Sequence, residues 1–273
     1  MELPVEDEYA DIVGKAQKGL DLSTEELARK ADLELDQVRA ARRGDFDPDV
    51  AAALAQALGL NRKALLAIGS GDWRPAPVPE TEGFLAAHSP FSDPYVVNAY
   101  VVWDPKTREA AVFDTGTQAD PLVEALEGRG LEPSAVYLTH AHSDHVRGLS
   151  DLLRLFSCPV YASPRSRSLP VEARPVEEGF SAPLGRLRIR ALETPGHTED
   201  GLTFVLEGLE RAFAVAGDAL FAGSIGGPSH SYAASLDSLA KLLSLDPDTV
   251  LAPGHGPLTT VAEEREMNAF WTG

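Results

Sequence analysis

The sequence predicts a layered α/β domain preceded by a small all-α unit. Three observations carry this expectation. Residues 9 to 68 are rich in Ala, Leu, Glu and Arg and are broken by polar caps and glycines. A Gly- and Pro-rich stretch follows. Beyond Phe84, short apolar runs with β-branched and aromatic residues alternate with helical patterns, without the strict βαβα regularity of a doubly wound sheet. We therefore expect a helical domain over 1–70, a linker over 71–82 and a second domain over 83–273. The full 273 residues are enough to bury a substantial core as one large or two unequal domains.

The formal net charge of −18 repels nucleic acid and anionic membrane unless a basic patch is segregated, and none is obvious in the sequence. Cys158 is the single cysteine, so no disulfide forms within the chain and a Cys-rich zinc site is excluded. The acidic stretch Met1 to Glu8 lacks a signal pattern and no apolar run approaches membrane-spanning length. A cytoplasmic protein with no membrane partner is expected.

In the first unit, Ser23-Thr24-Glu25-Glu26 reads as a capping box that starts a helix. Asp32 falls where a tight turn needs a residue tolerant of positive φ, and Gln37 to Arg43 reads as a second helix ended by Gly44. Asp47-Pro48 supplies the next cap and first helical residue, and a last helix follows Asn61, with Leu65, Leu66 and Ile68 as core. Leu22 to Ala28, Val38 to Gly44 and Leu54 to Leu60 resemble the lambda-repressor-like helix-turn-helix family. That resemblance implies a recognition helix over about Leu35 to Arg43, with Arg39, Arg42 and Arg43 as candidate phosphate contacts. Residues 1 to 70 nevertheless hold 9 basic and 14 acidic side chains, and Glu34 and Asp36 lead the helix. DNA binding calls for a basic face, so the charge balance favours a module used for packing or for homodimerisation.

The stretch Gly69 to Glu80 has no helical or strand period and reads as an extended, semi-rigid spacer in which Trp73 is free to dock on either side. After it, strands are expected at Tyr95–Trp103 and Glu109–Phe113 around the turn Asp104 to Thr107. A helix over Pro121–Glu127, a strand over Ala135–Leu138 and a helix over Leu149–Phe156 follow. Further strands are expected at Pro159–Ala162, Leu187–Arg190, Leu202–Leu206 and Ala212–Ala216, then a final helix at Leu236–Leu245 and a closing strand at Thr249–Leu251.

The chemistry concentrates in Thr139-His140-Ala141-His142-Ser143-Asp144-His145, directly after an apolar strand. In an extended segment His140, His142 and Asp144 share one face, and a turn brings His145 beside them. Three later strand ends carry further ligands: Pro195-Gly196-His197, Gly217-Asp218 and Pro253-Gly254-His255. Glycine beside each one lets backbone approach a shared centre. Five of the seven histidines are thus gathered at such positions.

The ordered set His-x-His-x-Asp-His, Gly-His, Gly-Asp and Gly-His resembles the metallo-β-lactamase superfamily over about residues 83 to 273. The resemblance implies a four-layer αββα sandwich with its site between the two sheets. It also implies one metal on His140, His142 and His197, a second on Asp144, His145 and His255, and Asp218 bridging them. Imidazole and carboxylate suit two divalent ions, zinc first, with iron or manganese as alternatives. Such a pair lowers the pKa of a shared water from 15.7 to about 7 and stabilises an oxyanion. Asp144 is expected to orient the nucleophile or carry its proton, as the catalytic residue.

Gly217 to Ser224, Pro253 to Thr260 and Glu263 to Asn268 resemble the glyoxalase II branch, which hydrolyses hydroxyacyl-glutathione thioesters. Against that branch, Gly226-Gly227-Pro228-Ser229-His230 replaces its Gly-Arg-x-Asp, and the helical extension of its longer members is not expected here. The alternatives are a persulfide dioxygenase with one iron, and a metabolite-sensing regulator whose first domain binds DNA. His230 and Tyr232 are candidate pocket residues for a small-molecule substrate. His88 is expected to be structural or exposed, Cys158 a buried small hydrophobe, and Asp114 a support for the site by hydrogen bonding.

Overall fold

A computed structural model describes residues 3–273. Five helices come first: α1 (Tyr9–Gly19), α2 (Thr24–Ala31), α3 (Leu35–Ala41), α4 (Pro48–Leu58) and α5 (Arg62–Gly69). The local signals act as their chemistry requires. Ser23 accepts from the Glu26 N–H while the Glu26 carboxylate accepts from the Ser23 N–H, and Asp47 caps α4 ahead of Pro48. Asp32 takes the left-handed conformation at φ 54° that ends α2.

The remainder begins with β1 (Phe84–Ser92), β2 (Tyr95–Trp103), β3 (Ala110–Phe113), α6 (Asp120–Glu127) and β4 (Pro133–Tyr137). It continues through α7 (Ser143–Val146), α8 (Leu149–Leu155), β5 (Val160–Ala162), β6 (Arg174–Pro175), β7 (Ser181–Leu184) and β8 (Leu187–Glu193). It closes with β9 (Leu202–Glu207), β10 (Phe213–Gly217), α9 (Tyr232–Leu243), β11 (Val250–Pro253), β12 (Thr259–Thr260) and α10 (Val261–Met267). These strands form two six-stranded sheets, ordered β1-β2-β3-β4-β5-β6 and β12-β11-β10-β9-β8-β7.

Period-two alternation explains the layering. Tyr100 and Val102 of β2, Ala135 and Tyr137 of β4, Phe213 and Val215 of β10, and Val250 and Ala252 of β11 meet in one core between the sheets. Their neighbours Val101, Val136 and Leu138 face outward against Leu122 and Leu126 of α6 and Leu149 and Leu152 of α8. On the other outer face, Ala214, Ala216 and Leu251 pack with Leu239, Leu242 and Leu243 of α9. The same apolar cluster continues without a break into Ile12, Val13, Leu54 and Leu65 of the first five helices.

The structure corrects several expectations. The extended run ends at His142, which is the N-cap of the short helix α7, so Asp144 and His145 sit on a helical turn. The helix expected over Leu236–Leu245 starts earlier, capped by the Ser231 hydroxyl, and is not the last, since α10 follows. Strands β6 and β7 were not expected: Arg174–Pro175 is two residues long and Ser181–Leu184 contains a proline, so neither carries a strand period. Cys158 is half-buried instead of buried, and burial pushes its thiol up.

Helix α10 brings a carboxylate into the interior. Glu264 is fully buried and accepts hydrogen bonds from the Gly223 N–H, the Thr259 hydroxyl at 2.8 Å and the Asn268 amide at 2.7 Å. Burial pushes it up to about 7, with those donors opposing the shift. A carboxyl raised above its unfolded value of 4.5 contributes stability that is complete below 4.5 and is lost as the pH climbs through 7. Glu264→Gln is therefore expected to remove a pH-dependent loss on the order of a few kcal/mol. Denaturant titrations of both proteins at pH 5 and 8 check this, and an unchanged stability difference between the two pH values would contradict it.

Candidate metal centre

The centre lies at the carboxyl-terminal ends of β4, β8, β10 and β11, where loops rise from both sheets. Three groups of ligand atoms, each within 4.8 Å of one another, are His140 with His142 and His197, His140 with His145 and Asp218, and Asp144 with His145 and His255. All seven side chains singled out in the sequence are thus brought together. Asp218 is central: its Oδ1 lies 3.3 Å from His145 Nε2, and its Oδ2 lies 3.5 Å from His197, 3.8 Å from His255 and 4.0 Å from His140 Nε2. The approach requires glycine at Gly254, where a Cβ would come within 2.3 Å of Asp218 Oδ1. At Gly217, with φ 50°, a Cβ would collide with Thr139 Oγ1 at 2.4 Å.

Three of the rings are turned by a partner on the outer nitrogen. Asp114, itself at φ 56° after β3, accepts from His145 Nδ1–H at 2.8 Å, from the Thr139 hydroxyl at 2.7 Å and from the Thr139 N–H at 2.8 Å. With its proton given to Asp114, the Thr139 hydroxyl accepts from His140 Nδ1–H at 3.1 Å. His197 Nδ1–H donates to the Gly227 carbonyl at 2.8 Å. The Nε2 atoms of His140, His145 and His197 are thereby left facing inward as acceptors. Asp200, which no local motif singles out, accepts from the Ala141 N–H at 3.0 Å and the Ser166 hydroxyl at 2.6 Å, fixing the turn between His140 and His142. Asn98 holds the other end: its amide donates to the Pro253 and Gly256 carbonyls at 3.0 and 2.9 Å, while His88 meets Asn98 Oδ1 at 2.8 Å from an exposed position.

The electrostatics are those of a cation site. Among the described residues, His140 Nε2, His145 Nε2 and Asp218 Oδ1 are buried without a hydrogen-bond partner. Leaving such groups unpaired costs about 1–3 kcal/mol each, and bound divalent cations would satisfy them. Burial lowers His140 well below the usual histidine value, with His145 adding to the shift. Burial also acts to lower His145, but Asp218 and Asp114 outweigh it and raise this ring well above the usual value. Asp144 is pushed up by burial yet held at about 2 by the hydrogen bond from His255 and by His145. His142 is exposed, so the centre opens to solvent on that side, and the ring of the exposed Phe91 sits edge-on to His255 at 5.3 Å.

Residues 92–255 match the model of the metallo-beta-lactamase superfamily. The chain belongs to this superfamily. A superfamily relative, the hydroxyacylglutathione hydrolase GloC of Haemophilus influenzae, is 30% identical over 197 residues, covering 63% of this chain and 92% of that protein. Among solved structures, BLEG-1 B3 metallo-beta-lactamase is similar at a TM-score of 0.61 and 30% identity, over 70% of this chain and all of that one. TTHA1623, in a di-iron-bound form, is similar at 0.55 and 30%, over 72% of this chain and 100% of that chain. ETHE1 from Myxococcus xanthus is similar at 0.57 and 27%, over 67% and 83%. The mixed α/β fold with two sheets and flanking helices is the metallo-beta-lactamase fold, and helices α1 to α5 precede the matched region.

Other sequence candidates are not among these ligand groups. Tyr232 is not a pocket residue: as the first residue of α9 its ring packs against Gly19 and Phe270, where its apolar face is covered. His230 is exposed, and its backbone N–H donates to the Gly196 carbonyl. In the first helices, Arg42 donates to the Ala10 carbonyl at 2.7 Å, Arg39 pairs with Asp36 at 3.2 Å and Arg43 with Asp45 at 3.5 Å.

Asp114→Ala leaves His145 and Thr139 without their shared acceptor. Metal affinity is expected to fall about 10–100-fold, the usual loss when the hydrogen-bond partner of a ligand is removed. Competition with a chromophoric chelator measures it, and wild-type affinity in the variant would remove Asp114 from the support of the centre.

Proposed function

We propose that the chain is a binuclear metallohydrolase acting on a thioester of the hydroxyacyl-glutathione type. The observation that carries this reading is the convergence of His140, His142, His197, Asp144, His145 and His255 around the single carboxylate of Asp218. In it the first three residues hold one divalent ion, the next three hold the second, and Asp218 reaches both. Two such ions supply a hydroxide nucleophile at neutral pH and a Lewis acid for the acyl oxygen when bound. The donor set of imidazole and carboxylate fits zinc or iron. Asp144, ionised and held by His255 at 3.2 Å, is the group that orients the attacking water or takes its proton. The exposed His142 marks the open side of the centre, where the thioester reaches it. Aspartate at the bridging position and the named activity of the GloC relative support a thioesterase over a lactamase.

The test is elemental analysis of the purified chain together with hydrolysis of lactoyl-glutathione before and after chelation. Two ions per chain and turnover that returns with added zinc or iron are expected. Two ions without turnover would discard the substrate and keep the hydrolase. The similarity to ETHE1 favours one second reading, a mononuclear-iron persulfide dioxygenase. Oxygen uptake on glutathione persulfide with a single iron per chain would replace the hydrolase by it. For a DNA-binding regulator the basic candidates are poorly placed, since Arg39, Arg42 and Arg43 are each engaged within the chain. A salt-dependent gel shift on duplex DNA would revive that reading.

A further inference from the structure

His255 is oriented differently from the other rings. His145, His140 and His197 each place an outer nitrogen on Asp114, Thr139 or the Gly227 carbonyl, all within the part of the chain that contains β1 to α10. His255 points Nε2 at Asp144 Oδ2, 3.2 Å away, and its buried Nδ1 has no hydrogen-bond partner. The group facing that Nδ1 is the Glu6 carboxylate at 3.8 Å, whose Oε2 is likewise buried and unpartnered. Two unmet polar atoms of complementary kind therefore face one another, from positions almost at opposite ends of the sequence.

The placement of Glu6 is built, not incidental. The next residue, Asp7, is buried and is clamped by the Lys15 ammonium of α1 and by the Ser224 hydroxyl at 2.5 Å. Lys15 in turn donates to the Ile225 carbonyl at 2.7 Å. Both contacts fall on the loop that follows Asp218. On the other side, the backbone of Pro4 and Glu6 lies against Gly256, so close that a Cβ there would sit 3.2 Å from the Glu6 nitrogen. The segment before α1 is thus pinned between the Asp218 loop and the His255 loop, and Glu6 is delivered to the ring by fixed neighbours. It lies outside the residues 92–255 that the superfamily match covers.

We propose that Glu6 is the positioning residue of His255: its carboxylate accepts the Nδ1 proton, holding the ring with Nε2 toward the metal centre, so that the segment before α1 is a working part of the site. A carboxylate on the outer nitrogen of a ligating histidine fixes tautomer and ring angle and raises the basicity of the ligand. The present separation is about 1 Å longer than a hydrogen bond, and such contacts tighten when the centre is loaded. This inference rests on the reading in which Asp144, His145 and His255 hold the second ion.

The test uses the full chain with zinc and cobalt as probes. Chelator competition is expected to show two ions in the wild type. In Glu6→Ala the weaker-held ion should lose about 10–100-fold in affinity while the other is unchanged. Glu6→Gln keeps an acceptor oxygen and the side-chain volume, so it should recover part of that loss, and it carries the test should the alanine variant fail to fold. The cobalt d–d absorption of the second ion should shift in both variants, a change that loosened packing alone would not produce. Wild-type affinities and an unshifted band in both would overturn the role of Glu6 and leave the two-metal reading standing. A wild type that binds one ion, with affinity unaffected by His255→Ala, would overturn both together.

Discussion

Asp218→Ala is expected to lower kcat/KM by about a thousandfold or more and to release both ions on dialysis. The size follows from the several kcal/mol of charge stabilisation that a bound metal supplies, at about 1.4 kcal/mol per tenfold in rate. Asp218 is the carboxylate that reaches both ligand groups, with Oδ1 3.3 Å from His145 and Oδ2 3.5 Å from His197. Without it, five imidazoles surround the site and Asp144 is the one carboxylate left among the seven gathered side chains. The metal-free chain should respond too. His145 would be lowered by its burial, but Asp218 and Asp114 raise it above 6.5. Its contribution to stability is therefore complete below 6.5 and fades as the pH rises through the higher folded value. Removing Asp218 should shrink that low-pH contribution. Asp218→Asn separates the two effects, since it keeps the shape and loses the charge. Retention of two tightly held ions by Asp218→Ala, measured by elemental analysis after dialysis, would refute the bridging role.

The seven side chains that the structure gathers were legible because each announces itself locally. Four ligands lie within six residues after an apolar strand, and the rest are flanked by glycines whose need is now visible at Gly217 and Gly254. Asp114 was legible for a related reason, standing in Asp-Thr-Gly at a strand end. The strands followed from the apolar, β-branched runs at Tyr95–Trp103, β4, β9 and β10, and their arrangement in two sheets from the family resemblance. What escaped was set by tertiary contact. Asp200 supports the His140–His142 turn from 59 residues away, and Asn98 ties down the Pro253 and Gly256 carbonyls across more than 150. Glu6 reads as one of several acidic residues near the N-terminus. Nothing in its neighbours foretells His255. Tyr232 erred in the opposite direction: a tyrosine after the Asp218 loop looks like a pocket residue, but α9 starts there and turns it onto α1.

Calorimetry of the full chain is expected to give one cooperative unfolding transition, and a fragment of residues 71–273 is expected to aggregate or bind a hydrophobic dye. The change of composition across 71–82 suggests separable parts, yet the apolar contacts run straight past it. Ile12, Val13, Leu54 and Leu65 share a single buried cluster with Leu239, Leu242 and Phe270. Fully burying a side chain of this size is worth about 1.5–3 kcal/mol, so several together exceed the stability margin typical of a small domain. Polar contacts fix the arrangement. The Asn61 N–H donates to the Ala269 carbonyl at 2.8 Å and its amide to the Glu266 carbonyl at 3.1 Å, while Lys63 pairs with Glu266. The linker is itself docked, with the Ala76 N–H on the Glu263 carboxylate at 3.0 Å and Trp73 against Gly223. Deleting the helices would therefore bare the outer face of α9 and α10 and loosen the loop that follows Asp218, so the fragment should lose metal affinity along with solubility. Two well-separated transitions, or a soluble fragment with unaltered metal binding, would show instead that the helices are an independent appendage.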